Sequence, residues 1–150
     1  MNLAVAACDP EDARHLLEAH HGLMTELFEP HENHFLSLEA LKGEDVRFWG
    51  AGLDGALVGC AALALREGYG EVKSMFVTEP ARGQGVADAL LAEVEGAARE
   101  AGYRLLRLET GDKLTAARRL YARHGFTERD AFGEYQTCGS ASVFMEKTIG

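Results

Sequence analysis

The spacing of apolar residues changes several times along the chain, and each change predicts a different secondary-structure element. Runs rich in β-branched and alternating apolar residues predict strands over 3–8, 46–53, 56–65, 71–77, 104–110, 126–129 and 142–148. Apolar residues three to four positions apart predict helices over 9–28, 37–41, 83–101 and 114–124. Asp9 and Pro10 provide a cap and a first helical residue for the first helix, and Gly22 predicts a bend or break within it.

The order of these elements predicts a mixed sheet. Asp54 and Gly55 form a tight-turn signal between two strands, and the next strand extends the hairpin into an antiparallel meander. The long helix that begins near Gly83 lies between two strands, which predicts one parallel βαβ unit in an otherwise antiparallel sheet. We therefore expect an α/β (α+β) fold with helices on both faces of the sheet. The length of 150 residues suits a single domain over 1–150.

Composition and charge narrow the classes of function. Hydrophobic residues make up 47% of the chain and charged residues 26%, and no apolar run approaches the roughly 20 residues that cross a bilayer. Because the N-terminus lacks a basic leader, we expect a cytoplasmic protein without a membrane partner. The net charge of −9 disfavours nucleic acid and is compatible with amine-bearing partners.

The cysteines and histidines give no metal or disulfide pattern. Cys8, Cys60 and Cys138 are widely spaced without a Cys-x-x-Cys pair, so we interpret them as free thiols, with Cys138 an unreactive loop residue. The second histidine of residues 31–34 (His-Glu-Asn-His) is one position too close for the zinc motif His-Glu-x-x-His. No metal is therefore expected.

A glycine turn over residues 82–85 (Arg-Gly-Gln-Gly) stands where a strand ends and a helix begins. Unpaired backbone N–H groups and the positive end of the helix dipole favour anions there, and glycines permit close approach of a diphosphate. The alternative is a structural turn without a ligand. A Rossmann pattern would need its third glycine at Asp88, and no Gly-Lys-Ser or Gly-Lys-Thr indicates a P-loop.

Two segments carry a resemblance to a known family. Residues 77–91 (Val-Thr-Glu-Pro-Ala-Arg-Gly-Gln-Gly-Val-Ala-Asp-Ala-Leu-Leu) resemble the acetyl-CoA signature of the GNAT superfamily, and residues 120–126 (Leu-Tyr-Ala-Arg-His-Gly-Phe) resemble its downstream partner motif. A looser likeness continues over 132–135 and 142–147. Two positions depart from the family pattern: Pro80 replaces a side-chain donor, and Leu114 stands near the position of a frequent asparagine.

The resemblance implies roles for particular residues. The strand 71–77 is expected to splay from its neighbour, to bind the pantetheine amides through its backbone, and to polarise the thioester oxygen with an N–H near Phe76 or Val77. The cofactor-binding residues implied in this way are Met75, Phe76, Val77, Arg82, Gly83, Gln84, Gly85, Val86, Ala87 and Tyr121.

The resemblance also implies two catalytic residues, Tyr121 and Glu71. The Tyr121 phenol, with a reference pKa of about 10, would return a proton to the departing thiolate. Glu71 would be the general base for the acceptor amine; alternatively Lys73 pairs with it, and it is structural. The two-residue period of a strand predicts Val72, Ser74 and Phe76 on one face and Glu71, Lys73, Met75 and Val77 on the other.

These expectations lead to a first function and two alternatives. The first is an N-acetyltransferase that moves an acetyl group from acetyl-CoA to a primary amine of a small molecule or protein in a ternary complex. The alternatives are a non-catalytic acyl-CoA-binding or sensor module and, more remotely, a dinucleotide-binding protein. The acceptor is not specified by the sequence, and a homodimer is left open.

Overall fold

A computed structural model of the protein describes residues 2–32, 36–133, 135 and 141–150. The described residues form a seven-stranded sheet with the strand order β1-β2-β3-β4-β5-β7-β6. The strands are β1 (Leu3–Ala7), β2 (Val46–Leu53), β3 (Ala56–Leu65), β4 (Gly70–Val77), β5 (Leu105–Gly111), β6 (Thr127–Arg129) and β7 (Ser142–Thr148). The α-helices are α1 (Arg14–Leu27), α2 (Leu38–Leu41), α3 (Val86–Glu100) and α4 (Thr115–Arg123).

The predicted sheet topology is confirmed. Strands β4 and β5 pair in parallel with α3 between them in sequence, and the other neighbouring strands pair antiparallel. The turn between β2 and β3 contains Asp54 at φ 51° and Gly55 at φ 89°, the two positive φ angles of a type I′ hairpin turn. Local turn chemistry therefore sets the first two pairs of this hairpin, Leu53↔Ala56 and Gly52↔Leu57, and a bulge then shifts the register.

The helices cover both faces of the sheet. On one face α3 and α4 pack over residues such as Leu63, Val72 and Leu106. On the other face α1 and α2 pack over residues that include Phe48 and Ala62. The sheet therefore has an apolar layer on each face.

In the described part of the chain, no helix is long and apolar enough to span a membrane.

The prediction of a break at Gly22 is wrong, because α1 continues from Arg14 to Leu27 without interruption. The Asp9 side chain accepts a hydrogen bond from the backbone N–H of Glu11, so the predicted cap is present and starts a short 3₁₀ turn before the helix. Gly22 is exposed, and a glycine there costs roughly 1 kcal/mol relative to alanine. Burial of the apolar side of α1, with Leu16 and Leu17, outweighs that cost.

The predicted alternation along β4 is wrong beyond Ser74. Between the pairs Cys60↔Phe76 and Ala62↔Lys73, β4 contains one residue more than β3. Ser74 has a φ of 54°, and this extra residue forms a bulge that reverses which face the following side chains occupy. Met75 and Val77 therefore join the α3 face together with Val72, whereas Phe76 lies on the α1 face.

Strands β4 and β5 separate halfway along their length. Their parallel pairing covers Gly70↔Leu106 to Val72↔Leu108 and then stops, although β4 continues to Val77 and β5 to Gly111. The splay implied by the family resemblance is therefore present. Beyond this point the edge of β4 that faces β5 has backbone groups without a strand partner among the described residues, as a strand-like ligand would require.

Candidate active site

Two cavities meet where β4 and β5 separate. The larger, which we call the groove, has a volume of about 690 Å³ and runs along the end of β4 and the starts of α3 and α4. The smaller, which we call the chamber, has a volume of about 90 Å³ and lies between α1, β4, β5 and α4. Both are lined by His20, Met24, Met75, Leu114 and Ala117, so these residues mark the junction.

Eight of the ten predicted cofactor residues come together in the groove. It is lined by Met75, Phe76, Val77, Arg82, Gly83, Gly85, Val86 and Ala87. Gly83 has a φ of 79°, and Gly85, the residue that caps α3, has a φ of 82°; both lie in the left-handed region that favours glycine. The backbone conformation of the turn therefore favours glycine at both positions, whether or not a ligand approaches the turn.

Two side chains hold the shape of this turn. Arg82 Nε donates a hydrogen bond to the carbonyl oxygen of Val77 over 3.0 Å, and its guanidinium lies 6.0 Å from the centre of the Phe76 ring. Gln84 Nε2 donates to the carbonyl oxygen of Pro80 over 3.2 Å. Gln84 is not among the described residues that line the groove, so its part in the geometry is support of the turn.

Tyr121 lines the chamber. Its side chain is buried, with 6% of its surface exposed, and packs edge-on against the Phe126 ring. Within the described ranges no hydrogen bond to its hydroxyl is present. Burial, and secondarily the negative charge of Glu109, raises the pKa of the Tyr121 phenol, so the phenol keeps its proton throughout the physiological pH range.

Glu71 is buried in a network beside the chamber. Its carboxylate accepts hydrogen bonds from Arg66 Nε over 3.1 Å and from the Tyr135 hydroxyl over 2.7 Å, and lies 3.6 Å from Lys73 Nζ. Lys73 in turn donates to the Tyr135 hydroxyl over 2.7 Å. Burial lowers the pKa of Lys73 in spite of its carboxylate neighbours. Lys73 lines the chamber, whereas Glu71 is not among the described residues that line either cavity.

The polar residues of the chamber that the sequence reasoning missed include His20, Ser74 and Glu109. His20 Nδ1 and Ser74 Oγ are buried and have no hydrogen-bond partner among the described residues. Burial, then the nearby His21 and Lys73, lowers the pKa of His20 to about 4, so its imidazole is neutral at physiological pH. Because these residues come from α1, β4 and β5, no local sequence pattern contains all three. The available signal was Glu109, an acidic residue near the end of a strand.

The described residues contain no grouping of histidine, cysteine and acidic side chains that would hold a metal ion. Asn33 and His34 of the sequence 31–34 lie outside the described residues, as does Cys138. Cys8 and Cys60 are free thiols as predicted, and burial raises the pKa of Cys60 to about 12, which keeps it protonated and unreactive.

A groove that meets a smaller chamber, with a glycine turn at a helix start, provides two adjoining spaces, as an enzyme with two substrates requires. A family model described as the acetyltransferase (GNAT) family matches residues 13–126. The chain belongs to the GNAT acetyltransferase family. The predicted family and enzyme class, an N-acetyltransferase, are therefore confirmed.

Individual relatives agree with this assignment. An IAA acetyltransferase of Azospirillum brasilense is 40% identical over 136 residues, which cover 89% of this chain and 88% of that protein. A crystal structure from Klebsiella pneumoniae, named as an acyl-CoA N-acyltransferase, is 34% identical with a TM-score of 0.83, covering 99% of this chain and 98% of that one.

A more distant structure contains coenzyme A. The PaiA N-acetyltransferase of Thermoplasma acidophilum, solved in complex with coenzyme A, has a TM-score of 0.77 at 20% identity and covers 99% of both chains. At that identity it shows a shared fold.

Proposed function

We propose that this enzyme transfers an acetyl group from acetyl-CoA to a primary amine by direct attack within a ternary complex. The observation that carries the proposal is the meeting of groove and chamber at the separation of β4 and β5. The groove, with a volume of about 690 Å³, is large enough for a large cofactor. The smaller chamber suits the reacting end of a second substrate.

The donor fits the groove from both ends. The diphosphate of coenzyme A would bind the backbone N–H groups at Gly83 and Gly85, where the start of α3 favours negative charge. The pantetheine arm would pair with the backbone of β4 beyond Val72, which has no strand partner on that side among the described residues. The acetyl thioester would then lie at the junction, beside Met75 and Phe76.

Buried polar atoms in the chamber support a ligand there. A buried polar atom without a hydrogen bond costs about 1–3 kcal/mol, so native proteins rarely keep one without a reason. His20 Nδ1 and Ser74 Oγ are two such atoms, and both residues line the chamber. Thioester and amine groups would offer them partners.

Tyr121 is the proposed general acid. Its reference pKa of about 10 exceeds the roughly 8.5 of a thiol, and burial widens this gap, so the phenol would not protonate a free thiolate spontaneously. Proton transfer becomes favourable only if the phenol regains a proton from the nitrogen of the tetrahedral intermediate in the same step. We therefore assign Tyr121 as a relay between the amine and the sulfur.

Glu71 has a different role in this proposal from that of a direct base. Its carboxylate already receives hydrogen bonds from Arg66 and Tyr135, and 2% of its surface is exposed. We assign it to fixing Lys73 at the chamber wall, through its contacts with Lys73 and Tyr135.

Release of free coenzyme A from acetyl-CoA, followed with a thiol reagent, tests the function against alkylamines, polyamines, amino acids, aminoglycosides and lysine peptides. Acetyl-CoA consumption with at least one amine, together with its N-acetylated product by mass spectrometry, is the expected result. Calorimetric binding of acetyl-CoA without turnover on any amine would favour a non-catalytic module. Binding of NAD in preference to coenzyme A would refute the assignment of the groove.

A further inference from the structure

An aromatic side chain forms the wall of the chamber where α1 and β5 end. Phe28, the residue after α1, lines the chamber and has 6% of its surface exposed. Gly111, the last residue of β5, also lines it. A Cβ added at Gly111 would collide with Cζ of the Phe28 ring and lie 2.8 Å from Cε2 and 2.9 Å from Cε1. The ring therefore packs directly on the backbone of β5, in the space that a side chain at this position would fill.

A lysine connects the same two elements a second time. Lys113 lies two residues beyond β5, and its Nζ donates a hydrogen bond to the carbonyl oxygen of Leu27 over 2.8 Å. Leu27 ends α1, and the last carbonyl groups of a helix lack partners within the helix and favour a positive charge. The same Nζ lies 5.4 Å from the centre of the Phe28 ring, within the range of a cation–π contact. We call the four residues Leu27, Phe28, Gly111 and Lys113 the clasp.

The clasp lies close to the junction of the two cavities. Met24 lines both cavities, whereas Phe28 is among the residues that line the chamber and not among those that line the groove. The backbone N–H of Phe28 donates to the carbonyl oxygen of Met24 over 2.9 Å, so one helical turn separates the two residues. Four residues of helix span roughly 6 Å. A substituent a few bonds from a nitrogen at the junction would therefore reach the Phe28 ring.

We propose that Phe28 limits the size of the acceptor, and that the clasp holds its ring in the chamber wall. This inference rests on the proposed function. The chamber volume of about 90 Å³ is well below the roughly 300–1,000 Å³ of sites that enclose drug-sized ligands. With the ring in place, the chamber admits a slender aliphatic amine, whereas an aromatic group next to the amine collides with Phe28. The substrate class is accordingly a small aliphatic primary amine.

The test compares propylamine with benzylamine as acceptors. Benzylamine contains the phenyl group that Phe28→Ala removes from the wall, and an apolar cavity made by a large-to-small substitution can bind a benzene ring. We expect the wild type to have a kcat/KM for benzylamine at least tenfold below that for propylamine, and Phe28→Ala to raise the ratio of benzylamine to propylamine at least tenfold. A ratio measured on one preparation does not depend on the fraction of folded enzyme, because both amines meet the same active molecules.

A second phenylalanine provides the matched control. Phe48 is also 6% exposed and packs in the core under α1 and α2, but it is not among the described residues that line either cavity. Phe48→Ala removes the same ring and should keep the ratio within twofold of the wild type. Phe28→Leu and Phe48→Leu are a milder pair in case the alanine variants do not fold, and only Phe28→Leu should raise the ratio.

Two further measurements separate the ring from the lysine and from the cofactor. Lys113→Met keeps an apolar stem but removes the hydrogen bond to Leu27 and the charge beside the ring, and should raise the ratio at least twofold. In Phe28→Ala the calorimetric Kd of coenzyme A should stay within twofold of the wild type, because the ring does not line the groove.

A folded Phe28→Ala enzyme that keeps the wild-type ratio would overturn the inference, as would a wild type that uses benzylamine as well as propylamine. An equal rise of the ratio in Phe48→Ala would also overturn it, because general loosening of α1 would then control acceptor size. An unchanged ratio in Lys113→Met would refute the holding of the ring by the lysine. A wild type that acetylates neither amine, nor any amine of the larger panel, removes the proposed function as well, whereas an active wild type with these ratios unchanged removes only the inference.

Discussion

Replacing Gly83 with alanine separates the two reasons for glycine at the cofactor turn. Gly83 has a φ of 79°, and an added Cβ there would meet no atom within 4 Å. Gly102, just beyond the end of α3, has a φ of 88° and equally open surroundings. A residue with a Cβ in this conformation costs about 1–2 kcal/mol, so Gly83→Ala and Gly102→Ala should destabilise the protein by similar amounts. A 150-residue protein would then melt roughly 2–8 °C lower.

Only one of the two glycines lies in the groove. The 15 residues of α3 span roughly 22 Å, so Gly102 is far from the proposed diphosphate site. A methyl group at Gly83 would occupy space that the diphosphate needs for its approach to the backbone. We expect Gly83→Ala to lower the affinity for coenzyme A at least tenfold, which corresponds to about 1.4 kcal/mol of binding free energy. Gly102→Ala should bind coenzyme A with the affinity of the wild type. Valine would be a poorer probe, because a β-branched residue is strained far more at positive φ.

The assay is calorimetric titration of coenzyme A at a temperature where thermal melts show all three proteins folded. A Gly83→Ala protein that melts like Gly102→Ala but binds coenzyme A like the wild type would refute diphosphate binding at this turn. Equal weakening of coenzyme A in both variants would mean that backbone strain, and not contact with the ligand, controls affinity.

Three further predictions address the site. Tyr121→Phe keeps the ring but removes the relayed proton, so kcat should fall roughly 100-fold with acetyl-CoA affinity unchanged; early melting with full turnover per folded molecule would contradict the relay. Arg82→Ala should lower the affinity for coenzyme A more at low salt than at high salt in titrations, as a contact between a charge and a phosphate requires. A loss of affinity that does not depend on salt would mean that Arg82 acts only through its hydrogen bond to Val77. The pKa of His20 is lowered to about 4 in the folded protein, so its contribution to stability is present above pH 6.5 and lost as the pH falls towards 4. In denaturant unfolding between pH 7 and 4, His20→Phe should lose less stability than the wild type, by at most roughly 3 kcal/mol, and equal losses in the two proteins would contradict this assignment.

The helix starts, the hairpin and the glycine turn could be predicted because their causes are local. Asp54 and Gly55 adopt positive φ angles by themselves, and Gly83 and Gly85 do the same before α3. The error at Gly22 arose because a local preference of about 1 kcal/mol was weighed without the burial of the opposite side of the helix. The error beyond Ser74 arose because the bulge depends on how β4 pairs with β3. The residues of β4 alone do not predict this pairing.

The sequence by itself determined the family, the order of the elements and the residues of the cofactor turn, because these depend on contiguous residues and short spacings. The tertiary structure alone decided which polar side chains share the chamber. His20 on α1, Ser74 on β4 and Glu109 on β5 are more than 30 residues apart from one another in the chain, and meet only because β4 and β5 separate beyond Val72 and Leu108. The same packing buries Glu71 against Arg66 and Tyr135. The position of Glu71 on a strand does not predict these contacts.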